Sequence, residues 1–242
     1  MAPDIDKMLS YEIKKEIADR YFGFRKLIEE DIKEYDNLVI TTFRRLEQRI
    51  GFDLVRLYIL LKNEQVIHDF FQIAGLDERL FYDPYLTESP TIRKRVFADM
   101  KPHGLTQKSR FKNMVVDTYN SLVDHVKQYK DNLAELREEQ ETIAEEINIF
   151  YRKNDLSTIM GFLRGLGGTG SYKSGAMEGG LTPHTGENLE QKMRVTAPPP
   201  VEKLLPVLPE LKPYKTIRHE LEPIIDRAYR LQGEPEMRKF IF

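Results

Sequence analysis

From residue 13 to residue 50 the apolar positions are Ile13, Ile17, Tyr21, Phe24, Ile28, Ile32, Tyr35, Val39, Phe43, Leu46 and Ile50, in repeating steps of 4, 4 and 3. A strand alternates with period two, so this spacing describes one face of a helix. The eleven-residue repeat averages about 3.67 residues per turn, which gives a nearly straight stripe. No proline lies between Pro3 and Pro84, and Gly23 is a tolerable interruption. The pattern predicts a helix over residues 5–49 with Gly51 at its C-terminal turn.

A second long pattern covers residues 106–153. Val115, Leu122, Tyr129, Leu136, Ile143 and Phe150 recur every seven residues, and Tyr119, Val126, Leu133, Gln140 and Ile147 fill the companion positions. Gln140 alone breaks this heptad seam, which predicts coiled-coil-like packing against another long helix. At a rise of ~1.5 Å per residue each stripe is nearly 60 Å long. Between them, residues 52–74 are apolar on more than one face, as a buried third helix should be, and Gly75 is its stop. Ser89 and Pro90 read as N-cap and first residue of a short fourth helix ending before Pro102.

Charge chooses the orientation of the two long helices. Asp131, Glu135, Glu138, Glu139, Glu141, Glu145 and Glu146 form an acidic block interrupted by Arg137. Antiparallel pairing sets this block beside Lys14, Lys15, Arg20, Arg25 and Lys26; parallel pairing sets it beside Glu29, Glu30, Asp31 and Glu34. The expected fold is therefore all-α: a bundle on two long antiparallel helices, a buried third and a short fourth.

The C-terminal third has a different composition. Nine of the fourteen glycines fall in residues 161–186 and eight of the thirteen prolines in residues 198–235. This divides the chain into a bundle at 1–155, a short helix and Gly-rich linker at 156–197, and a Pro-rich strap with an amphipathic helix at 198–242. Val201, Leu204, Leu205, Val207, Leu208 and Leu211 are too many apolar residues for a solvated linker. They suit a strap on the bundle's own groove, or a ligand for a partner's groove. Ile217, Leu221, Ile224, Ala228 and Leu231 predict the last helix, with Pro223 in its first turn or at a kink; Phe240, Ile241 and Phe242 make an apolar end.

Composition then removes whole classes. The 242 residues include no cysteine, which excludes disulfides and thiolate metal sites. A net charge of -2 gives no global attraction to nucleic acid. The N-terminus lacks the basic and apolar regions of a secretory signal, and no apolar run is long enough to span a bilayer, so a cytoplasmic protein with no transmembrane segment is expected.

Chemical motifs are sparse. Gly165, Gly167 and Gly170 match G-x-G-x-x-G, but a helical pattern precedes them and a linker follows, which is not the strand–turn–helix setting of a dinucleotide site. Neither a G-x-S-x-G nor a Ser/His/Asp arrangement stands out. Glu30, Glu34, Glu64, His68, Asp124 and His125 are the residues from which a ferritin-like carboxylate/His metal site could be drawn, although no Glu-x-x-His pair is present. Arg93, Lys94, Arg95, Lys101, Lys108, Arg110 and Lys112, with Asp99 the one acid among them, form a basic end suited to an anionic partner such as nucleic acid or a membrane surface. The first expectation for function is a non-enzymatic helical assembly or adaptor protein, acting through self-association or a protein partner and needing no cofactor. The metal-bundle and anion-binding readings are the alternatives.

Overall fold

The computed structural model describes residues 5–83, 92, 94–96, 98, 107–154, 159 and 194–232, with side chains from residue 12 onward. The Ser89–Pro90 cap, the glycine motif at 165–170, the rest of the linker and the apolar end at 240–242 lie outside the described residues. Helix is the regular structure throughout, and the helices pack on one another as an all-α bundle.

The order is α1 (Ile5–Leu38), a π-helical turn (Val39–Phe43), α2 (Arg44–Leu61), α3 (Glu64–Ala74), a 3₁₀ turn (Glu78–Tyr82), α4 (Lys108–Lys153), a four-residue α5 (Val201–Leu204) and α6 (Tyr214–Leu231). Gly51 does not end the first helical run. It is buried inside α2, where a helical glycine costs only ~1 kcal/mol and burial of Ile50, Leu54, Val55 and Leu57 outweighs that. The break comes at Lys62, in the left-handed region at φ 57, and Asn63 caps α3 by accepting from the amides of Gln65 and Val66. Thus the expected third helix is two pieces, one of them joined to what precedes it. In α4 all ten apolar seam residues are buried. No helix among the described residues is long and apolar enough to cross a membrane.

The chain divides into two compact units, Met1–Asn37 with Leu136–Leu204, and Leu38–Glu135 with Leu205–Phe242. In the first, α1 runs antiparallel to the end of α4. Tyr21 meets Phe150 at 4.9 Å between ring centroids, while Tyr35 lies in the field of Glu139. Ion pairs described on this stretch of α1 include Glu16 with Arg20, Arg25 with Glu29 and Lys26 with Glu30, each one turn apart. The strap is held in cis. Tyr151 donates to the Val195 carbonyl at 2.8 Å and Arg137 pairs with Glu202 at 2.6 Å. Gln140, the odd seam residue, donates to the Pro198 carbonyl at 3.4 Å, which explains a polar group at that position.

Tyr35 is fully buried, and its hydroxyl has no hydrogen-bond partner among the described residues. An unpaired buried hydroxyl costs free energy that a phenyl ring does not. Tyr35→Phe should therefore leave the urea midpoint unchanged or raise stability by about 1 kcal/mol. A clear loss of stability would contradict the unpaired hydroxyl.

In the second unit, Phe43 meets Tyr129 edge to face at 5.1 Å, and α2 again runs antiparallel to α4. α3 packs on α6: Val66, Ile67, Phe70, Phe71 and Ala74 face Ile217, Leu221, Ile225 and Ala228, and Arg227 binds Asp69. Ile225 is buried and Ile224 only half-buried, so the buried face of α6 is turned toward the Ile225 flank of the expected stripe. Pro223 sits in the interior of α6 on its exposed side. Leu208 and Leu211 of the strap are buried, Tyr129 donates to the Pro206 carbonyl at 2.9 Å, and Tyr119 donates to the Lys212 carbonyl at 2.6 Å. Gly75 closes α3 at φ 80, and a Cβ there would meet the Glu210 carbonyl oxygen at 3.3 Å.

Candidate functional site

Within the second unit, α2 presents Arg45, Gln48, Arg49, Phe52, Asp53 and Arg56 at helical spacing along one face. Ser121 and His125, one turn apart on α4, and Ile92 and Arg95 complete a cavity of about 520 Å³. A second concavity of about 480 Å³ shares Arg45 and Arg49 and adds Thr41, Thr42, Leu46, Gln128 and Asn132. The arginine pair thus lies between two hollows. Thr41 and Thr42 belong to the π-helical turn, a distortion that often accompanies functional surface.

Four arginines surround one carboxylate in the larger cavity. The side chains of Arg45, Arg49 and Arg95 are exposed and make no ion pair among the described residues. The Arg56 guanidinium sits 5.8 Å from the centre of the Phe52 ring.

At the cavity wall Asp53 is buried and bound on one oxygen by two partners. Ser121 Oγ donates to Oδ2 at 3.0 Å, and His125 Nδ1 lies 2.9 Å from the same oxygen. Ser121 Oγ is also 3.5 Å from His125 Nδ1. A nucleophilic relay needs the carboxylate on one ring nitrogen and the hydroxyl on the other. Here both meet Nδ1, so the three form a hydrogen-bonded anchor and not a relay. Burial raises the Asp53 carboxyl above its ordinary range, opposed by the bonds from His125 and Ser121 and by the charge of Arg56.

The residues of the basic end take separate roles. Arg95 lines the cavity. Lys108 pairs with Asp226 at 3.0 Å and Lys112 with Glu222 at 2.8 Å, so both tie α4 to α6. Lys94 and Arg110 are exposed, and Arg93 and Lys101 lie outside the described residues. Of the six metal candidates, Glu64, His68, Asp124 and His125 fall in the second unit and Glu30 and Glu34 in the first, and each has its own surroundings. Glu30 pairs with Lys26; Glu34, Glu64 and Asp124 are exposed; His68 meets Glu78 at 2.6 Å, not Glu64; and His125 is held by Asp53. Among the described residues no three His, Asp or Glu side chains are placed to share an ion.

Sequence reasoning passed over Arg45, Arg49, Arg56 and Asp53. The available signal was their common helical face, which a helix boundary drawn at Gly51 cuts in two.

Two carboxyls set opposite pH dependences. The raised Asp53 value means its charged form is disfavoured by folding, so its contribution is greatest at acid pH and is lost as pH climbs through the raised value. Glu222, bound by Lys112 and Arg218, is held down to about 2, so its contribution is present above the ordinary range and lost as pH falls toward that value. In melts across acid to neutral pH, Asp53→Asn should gain on the parent as pH rises, and Glu222→Gln should lose on it. A constant offset for either variant would contradict the assignment.

No protein-family model, curated protein or solved structure matches this chain.

Proposed function

We propose that this chain is a non-enzymatic helical adaptor whose arginine-lined cavity takes a single-stranded nucleic acid. The observation that carries the reading is the group Arg45, Arg49 and Arg95, three guanidiniums on one cavity with no acidic partner among the described residues. Structural arginines normally find a carboxylate, as Arg227 and Arg218 do here. Guanidinium forks left without one match phosphate oxygens, and Arg keeps its charge at every physiological pH.

The shape selects among anionic partners. A membrane surface is broad and flat, whereas these two hollows are concave and share their arginines. That arrangement suits a repeating polyanion, with phosphates on the shared arginines and a base in either hollow. Phe52 offers a ring in one hollow, and Gln128 and Asn132 offer amides in the other. Asp53 anchors His125 beside the arginines, and no hydrogen bond to His125 Nε2 occurs among the described residues, so that edge is open to a ligand.

Titration of a fluorescently labelled single-stranded RNA oligonucleotide tests this, with Arg49→Glu set against Arg110→Glu as an exposed basic control on α4. Binding should fall for the first and persist for the second. Equal loss in both would reduce the site to general surface charge, and absence of binding in the parent would sink the reading.

A further inference from the structure

On α1, Ile13, Phe24 and Leu27 are exposed by 55%, 60% and 57%, although Ile13 and Phe24 belong to the apolar stripe expected to face the core. The stripe is wider than the buried face: Tyr21, Ile28 and Tyr35 take the contacts, and its flank stays open. With 3.6 residues per turn, Ile13, Arg20, Phe24, Leu27 and Asp31 all fall within a band of about 60°. Their order is apolar, basic, apolar, apolar, acidic.

That order is self-complementary. About a midpoint between Arg25 and Lys26, Phe24 mirrors Leu27, and Arg20 mirrors Asp31. In sequence the same symmetry pairs Ile13 with Leu38, the last residue of α1, which is 40% exposed. Arg20 lies eleven residues before Asp31, Ile13 eleven before Phe24, and Leu27 eleven before Leu38. An eleven-residue spacing is close to three full helical turns, so the band stays straight over the length it needs.

We infer that α1 is a homodimerisation surface, in which a second copy of this chain packs its α1 antiparallel across a two-fold axis at residues 25–26. The two-fold sets Phe24 of each copy on Leu27 of the other, and Arg20 of each copy on Asp31 of the other. A closed isologous contact requires this self-complementarity, and an arbitrary partner does not. The charges select the register. Asp31 is exposed and has no ion pair among the described residues, while Arg20 is held by an exposed bond to Glu16 that leaves it three-quarters accessible. Shifting the pairing by one turn sets Arg20 against Leu27 in one direction; in the other it brings Arg20 to Glu34 but takes Phe24 off Leu27 and onto Glu30, so the charges and the apolar pair fix the register together. This surface is distinct from the arginine cavity and does not depend on what that cavity binds.

Sedimentation velocity of the full chain at tens of micromolar tests the proposal. The parent should sediment as a dimer. Arg20→Asp puts an acid opposite Asp31 twice per dimer and should weaken association about tenfold or more. Asp31→Arg should do the same by opposing arginines, and the double variant Arg20→Asp with Asp31→Arg should restore the dimer. Leu27→Glu should give a monomer with unchanged helicity by circular dichroism, since the side chain is exposed in the single chain. Arg49→Glu should leave sedimentation unchanged, which separates this result from the fate of the nucleic-acid reading. A monomeric parent would overturn the proposal, as would a dimer indifferent to both Leu27→Glu and the charge exchange.

Discussion

Reversing Arg49 and Arg95 together to Glu should weaken single-stranded RNA binding by at least about a hundredfold, ~3 kcal/mol. The two side chains reach one cavity from separate segments, Arg49 from α2 and Arg95 from the residues at 94–96, which are helical. Each reversal removes a guanidinium from the cavity and adds a repelling carboxylate in its place. Both side chains are exposed, so the fold should tolerate the change. An oligonucleotide titration with a circular dichroism control reads the outcome. Loss of binding with intact helicity supports the cavity, and undiminished binding contradicts it.

Tyr119→Ala should destabilise the second unit by about 3–5 kcal/mol. The ring is fully buried and packs edge to face on Phe70 at 5.6 Å. Its hydroxyl donates to the Lys212 carbonyl, and the Lys212 amide in turn donates to the Ala74 carbonyl at 3.2 Å. One side chain therefore joins α4, the end of α3 and the strap. Tyr119→Phe keeps the ring and orphans a carbonyl, for a cost of about 1–2 kcal/mol. Urea unfolding of both variants separates packing from anchoring. If Tyr119→Phe matched the parent, the hydroxyl would have no part in holding the strap.

The sequence announced much of this architecture and little of the site. The seam of α4 was legible because its period is unambiguous, from Val115 to Phe150, and each position has the same environment. The leucines of the strap also announced their burial, although Leu204 and Val207 are exposed: Leu204 ends the short α5, and the buried Leu208 and Leu211 lie three apart, as one face of a polyproline-like segment does. Gly51 misled because a glycine stop signal is worth little against a buried apolar face. Asn63, the cap that starts α3, stands between two apolar runs, where one short polar residue hardly interrupts the pattern. Ile13 and Phe24 fit the α1 stripe and yet face solvent, because spacing gives the face and not its width.

The arginine cavity was hidden for a different reason. Residues 45–56, 95 and 121–125 are far apart in the chain and meet only in the folded unit. Local pattern reports which residues share a helix face, but not which faces oppose one another. The charge run at 93–112 drew attention to the right neighbourhood through Arg95, yet Lys108 and Lys112 serve α6 through Asp226 and Glu222. Distinguishing an arginine with no ion pair among the described residues from a lysine paired with a carboxylate required the tertiary contacts.

The most direct test of the cavity's role is the salt dependence of oligonucleotide affinity in the parent and in Arg49→Ala. Three or four arginines on phosphates predict a slope of log affinity against log salt of about -2 to -3, reduced by about 0.7 when Arg49 is removed. A flat dependence, or a slope that the substitution leaves unchanged, would contradict a phosphate on these arginines.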